Sequence, residues 1–177
     1  METKIVQQAL NEFGAMVVQR AQANLKTGSK KFGTHNASGN LSRSLTFKTK
    51  INPNSLEFDF FAEDYWKLLD YGTTGSQSSR KAPKSPYKAD AKIGAIDKWV
   101  VRKGLKGTRG KDGRFSTRKS MVEAITKSIN KTGTYETKFF RNAFDLEYKN
   151  FDEVIAEKYG LDLESFLKYV VNENIKR

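Results

Sequence analysis

The sequence predicts an α+β fold: a long N-terminal helix packed on a small antiparallel sheet, with further helices in the C-terminal half. Three observations carry this. Residues Lys4 to about Lys26 place apolar side chains at three- and four-residue steps, residues 46–61 alternate apolar with polar around a turn, and residues 90–146 return to helical spacing.

In the first helix Val6, Leu10, Phe13, Val17 and Ala21 form a stripe that Ile5, Ala9, Met16 and Leu25 widen. Thr3 is placed to cap its start and Gly28 to end it, with Lys26 favourable in the last turn. At ~1.5 Å per residue it reaches roughly 35 Å, enough to cross a whole sheet. Thr27 to Asn40 is a Gly/Ser/Lys/Asn loop holding the only histidine, His35, which reads as a solvated loop residue. Leu41 and Leu45 are four apart, so one helical turn pins both to the core. Thr46–Ile51 sets Phe47, Thr49 and Ile51 against Lys48 and Lys50, and Leu56–Phe61 sets Leu56, Phe58 and Phe60 against Glu57 and Asp59. With Asn52-Pro53-Asn54-Ser55 as the turn, these predict a β-hairpin in which the two lysines oppose the two acids.

Tyr65-Trp66-Lys67-Leu68-Leu69-Asp70-Tyr71-Gly72-Thr73-Thr74-Gly75 then concentrates aromatic and aliphatic side chains before a glycine turn. That is too much apolar surface for one solvated face, so it reads as a core-forming turn closing the sheet or as a partner surface. Ser76 to Lys88 holds Pro83, Pro86, Arg80, Lys81 and Lys84 and reads as an exposed arm. Asp90 to Lys103 is expected to be a helix with Ile93, Ile96, Trp99 and Val100 on one side, ended by Gly104. A second basic loop, Leu105 to Ser116, carries Lys106, Arg109, Lys111 and Arg114 among glycines. Thr117 to Lys131 is expected to be helical with Met121, Ala124, Ile125, Ser128 and Ile129 inward, and Gly133 stops it. Thr134 is placed to cap the next helix, whose apolar set is Phe139, Phe140, Ala143, Phe144 and Leu146. Two short helices, 151–159 and 162–175, are expected to follow, split by Gly160, with Leu163, Phe166, Leu167, Val170, Val171 and Ile175 forming a stripe.

The 177 residues suffice for one domain with a core, or a domain plus a helical appendage. The aromatic share of 12% argues against disorder, and the lack of cysteine excludes disulfides, thiolate metal sites and cysteine nucleophiles. The net charge of +12 points to nucleic acid, an anionic surface or acidic protein neighbours. Residues 145–177 hold five bases against eight acids, a net −3, which leaves +15 on residues 1–144. The sequence therefore divides into an α+β domain at 1–144, with basic extensions at 76–88 and 105–116, and an acidic helical extension at 145–177. The basic extensions offer little apolar area to offset ordering entropy and are expected to order only in an assembly. The apolar stripe of the acidic extension must be covered, and it is expected to pack in trans on a neighbouring subunit or adjacent ring, with the chain's own core as the alternative. No apolar run approaches a membrane span, and the N-terminus lacks the layout of a signal peptide.

Catalytic signals are weak. One loop histidine is a poor base for a nucleophilic triad. Asp59, Glu63, Asp64 and Asp70 are near in sequence, but a two-metal site needs carboxylates converging on one buried point. The glycine-rich stretch 104–113 lacks the Gly-Lys-Ser/Thr ending of a phosphate loop.

The order of motifs carries a resemblance. A long first helix precedes Ser38-Gly39-Asn40-Leu41-Ser42-Arg43-Ser44-Leu45, then two strands, then Tyr65 to Thr73; later come Ile96-Asp97-Lys98-Trp99-Val100-Val101-Arg102-Lys103-Gly104-Leu105 and Ile129-Asn130-Lys131-Thr132-Gly133-Thr134 with Phe139-Phe140. This resembles the tail-completion (minor tail component, neck) family of tailed bacteriophages, over about Lys4 to Phe144. Asp70 and Tyr71 stand where that family often has Glu and Phe. The resemblance implies a non-catalytic virion protein without cofactor or metal, assembled in the host cytoplasm as a homo-oligomeric ring, a hexamer, at the head–tail joint. Its implied partners are other copies of itself, head-connector proteins and tail-terminator or tail-tube proteins, with DNA passing through the lumen without sequence-specific binding and no membrane. The implied contact residues are Tyr65, Trp66, Tyr71, Gly72, Thr73, Arg80, Lys81, Lys84, Lys106, Arg109, Lys111, Arg114, Phe166 and Val170. The competing reading is a small basic nucleic-acid-binding module, with Phe32, Tyr87 and Phe115 beside basic residues as stacking platforms.

Overall fold

A computed structural model describes residues 4–27, 35, 37–52, 55–77, 85–107, 109, 113–149, 151, 153–161 and 163–164. In chain order these form α1 (Lys4–Thr27), α2 (Asn40–Ser44), β1 (Thr46–Asn52), β2 (Ser55–Phe61), α3 (Trp66–Tyr71), β3 (Thr73–Thr74), α4 (Ile93–Arg102), α5 (Arg118–Thr132), β4 (Gly133–Thr134) and α6 (Arg141–Tyr148). The fold is α+β, with the long first helix on an antiparallel hairpin and further helices behind it in sequence. No described helix is long and apolar enough to cross a membrane. The chain divides into two compact units: Met1–Thr27, Ser42–Ala62 and Phe139–Arg177 in the first; Gly28–Leu41 and Glu63–Lys138 in the second. Residue 144, where the sequence suggests a boundary, falls inside α6.

The first unit is built on α1. Val6, Ala9, Leu10, Phe13, Gly14, Val17, Ala21 and Leu25 are buried along one stripe, as the periodicity predicts, whereas Met16 is 46% exposed. The hairpin pairs Lys48 with Asp59 and Lys50 with Glu57, the register expected from the charges. Phe58 stacks edge-on to Phe13 at 5.1 Å, and Phe60 meets Phe140 at 5.1 Å in the same way. Fully burying a large apolar side chain contributes about 1.5–3 kcal/mol; Phe13 is buried and Phe58, Phe60 and Phe140 are half-buried, so the layer adds to the aliphatic stripe of α1. Thr49 adds a polar tie, accepting from Gln7 at 2.6 Å and donating to Asn11 at 2.7 Å. Phe151 also enters this core, 4.3 Å from the Phe13 ring. Residues 151, 153–161 and 163–164 are helical, so Gly160 does not split the segment as the sequence suggests. A glycine costs a helix only about 1 kcal/mol, and Phe151 and Ile155 anchor the start of this one.

The second unit is held by a clasp between distant stretches. After α3, Gly72 turns the chain at φ 71° into β3, which pairs antiparallel with β4, Thr73 opposite Thr134 and Thr74 opposite Gly133. The backbone N–H groups of Thr137 and Lys138 donate to the carbonyls of Leu69 and Asp70 at 3.1 Å. Thr134 is therefore a strand residue and not a helix cap: its N–H donates to the Thr73 hydroxyl at 3.1 Å and the two hydroxyls lie 3.0 Å apart. The other edge of β3 is also occupied. Thr74 donates to Tyr87 at 2.8 Å and accepts from Ala89 at 2.9 Å, so residues 85–88 are tied down rather than free as an arm. Residues 78–84 lie outside the described residues.

Helices α4 and α5 complete this unit. Thr117 caps α5 through its side chain, accepting from the Ser120 N–H at 3.2 Å. The buried face of α5 is Val122 and Thr126; Ala124 and Ser128 are exposed, so the face is rotated from the expected one. The Thr126 hydroxyl bonds back to the Val122 carbonyl at 2.8 Å, which lets a threonine take an inward position. On α4 only Val100 is fully buried, and Ile93 and Trp99 are 57% and 38% exposed. Arg118 pairs bidentately with Asp97 at 2.6 and 2.5 Å. Asn130 clamps Ala91 through both its amide atoms, at 2.7 and 3.1 Å, fixing the approach to α4.

Candidate functional site

The apolar side chains that α4 leaves uncovered line a cleft of about 520 Å³ within the second unit. Its lining comes from four stretches: Ala37, Ser38, Asn40 and Leu41; Tyr65 and Leu69; Ala95, Ile96, Trp99, Arg102 and Lys103; and Ile129 with Thr134, to which His35 adds an imidazole. The spacing on α4 explains its share, since Ile96, Trp99 and Lys103 fall on one helical face and Arg102 lies beside them. The β3–β4 clasp fixes Thr134, and the bonds of Thr137 to Leu69 hold α3 against it. The cleft is thus an apolar hollow with two aromatic rings and a cationic rim.

Electrostatics follow from that lining. Partial burial first, then the nearby Lys103 ammonium, push the His35 imidazole below its usual range, so His35 is a cleft residue and not the solvated loop residue expected. Burial, followed by the Glu63 carboxylate, pushes the Tyr65 phenol up. The second unit holds 20 Lys and Arg against 8 Asp and Glu, a net +12, whereas the first holds 12 against 12 and is neutral. The whole formal charge of the chain therefore belongs to the unit that carries the cleft.

The described residues among those singled out from sequence fall at several places in the second unit. Tyr65 lines the cleft and is 44% exposed. Trp66 is half-buried in α3, Tyr71 packs its ring 5.8 Å from Tyr87, and Gly72 and Thr73 are buried in the turn and clasp. Arg109 bridges antiparallel to Phe115 and donates from Nε to the Gly113 carbonyl at 2.8 Å, which closes the second basic loop on itself. Lys106 and Arg114 are exposed in that loop. Arg80, Lys81, Lys84, Lys111, Phe166 and Val170 lie outside the described residues.

The four carboxylates near in sequence do not converge. Asp59, Glu63 and Asp64 are exposed, and Asp70 is fully buried. Among the described residues no three His, Asp or Glu side chains gather as a metal site, and no buried side-chain polar atom lacks a hydrogen-bond partner. What sequence reasoning missed is the role of Trp99, Arg102 and Lys103. The available signal was an aromatic and two cations on adjoining faces of a helix with few inward positions. No protein-family model, curated protein or solved structure matches this chain.

Proposed function

We propose that this chain is a structural protein of the head–tail joint of a tailed phage, forming a homo-oligomeric ring around the DNA channel and linking the head connector to the tail. The observation that supports this reading is spatial. Four of the stretches that carry the resemblance, spread from Ser38 to Thr134, supply most of the lining of one cleft, while its first helix, two strands and Phe139-Phe140 lie in the other unit. A chance likeness among short scattered motifs has no reason to be contiguous in space. The charge division suits the same role: a neutral aromatic-cored unit beside a cationic one gives each subunit a body and a docking module for acidic neighbours. DNA would pass through the lumen without being gripped in a sequence-specific way.

The second reading, a nucleic-acid-binding module, draws on the same +12 together with Trp99 and Phe115, which are 38% and 72% exposed. Sedimentation velocity with and without a DNA duplex separates the two. A discrete multimer that forms without DNA supports the ring; a monomer that binds DNA with affinity falling steeply with salt supports the module.

A further inference from the structure

We propose that the cleft of the second unit receives residues 161–167 from the C-terminal segment of a second copy of this chain. This rests on the reading of the protein as a ring former, and it names the contact through which one subunit would hold the next.

The cleft sets the chemistry of its occupant. Leu69, Ile96 and Ile129 give it an apolar floor, and Tyr65 and Trp99 stand partly exposed above that floor. Arg102 and Lys103 lie at one side. A nucleic-acid strand would meet too much apolar surface here and too few cations for its phosphates. A peptide with large apolar side chains and one or two carboxylates fits both parts, with apolar groups desolvated on the floor and carboxylates on the rim. A volume of about 520 Å³ suits a few such side chains.

The chain carries one such peptide near its end. Residues 161–167 read Leu-Asp-Leu-Glu-Ser-Phe-Leu, with four large apolar side chains, two carboxylates and no base. Leu161 and Leu163 keep 40% and 42% of their surface exposed. The helix leading to them is anchored in its own core by Phe151 and Ile155. The receiving unit is at +12 and the segment 145–177 at −3, so encounter in this orientation is favoured.

The chain has no cysteine, so disulfide trapping can be done on the full-length protein without background. One preparation carries Ala95→Cys in the cleft wall, a second carries Ser165→Cys, and each bears a different tag. After mixing, subunit exchange and mild oxidation, the cross-linked heterodimer is expected at roughly tenfold the yield given by Ala124→Cys, an exposed position on α5 outside the cleft, because a seated segment has a high effective concentration. Arg102→Glu with Lys103→Glu in the cleft copy should remove most of that yield, and Asp162→Lys with Glu164→Lys in the other copy should restore it. Multimers that form with no enrichment over the control would overturn the contact while leaving the ring reading intact. A dilution-independent intrachain cross-link in the Ala95→Cys/Ser165→Cys double variant would overturn it in favour of docking within one chain. A chain that stays monomeric throughout would overturn both readings.

Discussion

At Gly133 the chain turns at φ 81°, and an added Cβ would fall on the Thr73 carbonyl oxygen, a backbone atom that cannot rotate away. Gly133→Ala should therefore strain the clasp twice, through its dihedral and through the contact, and cost about 2 kcal/mol or more. Gly94 is the opposite case: a Cβ there meets nothing within 4 Å and the residue is helical, so Gly94→Ala should leave stability unchanged or raise it by up to about 1 kcal/mol. Urea unfolding of the two variants checks the pair; equal effects would show that the clasp is not under this constraint. His35 offers a pH test. Its folded pKa lies below the unfolded value, so the unfolded chain binds the extra proton in the window below pH ~6.5. That contribution to stability is fully present above pH ~6.5 and is lost as pH falls toward the folded pKa. His35→Ala should flatten the slope of the unfolding midpoint with pH in that window. An unchanged slope would mean that His35 does not feel the cleft.

Elements meet closely where α1 crosses β1. A Cβ on Gly14 would enter the Phe47 ring, so the helix reaches the strand only because that position is bare. Gly14→Ala should cost about 1–3 kcal/mol by forcing the ring or the helix aside. Phe151→Ala should cost about 3 kcal/mol, since Phe151 fills the core beside Phe13. Both are read from thermal melts, and a melt unchanged by Phe151→Ala would return residues 151–155 to the role of a detached appendage. Of the extension expected to pack in trans, Phe151 and Ile155 pack in the chain's own core. Legibility divides along the same lines. Helix α1 and the hairpin were readable because their periodicities of 3.6 and 2 run over whole elements and their charges fix the register. The clasp was not, because β3 and β4 are two residues each and separated by 58 positions, too short to show a period. The inward face of α5 was misjudged because Thr126 is polar by type yet satisfied by its own helix. For the site, the sequence exposed the four stretches but not their convergence, because aromatic density alone does not tell which stretches meet in space.

For the whole molecule, the division of charge is the property that most constrains function. A neutral unit at 12 against 12 has no long-range pull on an anion, and a unit at +12 has a strong one, so partners would be steered to the second unit and its cleft. That pull should weaken with salt, because the Debye length falls from ~10 Å at 0.1 M to ~3 Å at 1 M, whereas apolar contacts on Tyr65 and Trp99 should persist. A multimer held by both would assemble more slowly at high salt yet remain assembled once formed. Closure of a ring by the chain alone is tested most directly by electron microscopy of the purified protein without DNA. Uniform rings with a central hole wide enough for duplex DNA are expected; particles of single-subunit size at every concentration, or open aggregates without closure, would rule the ring out.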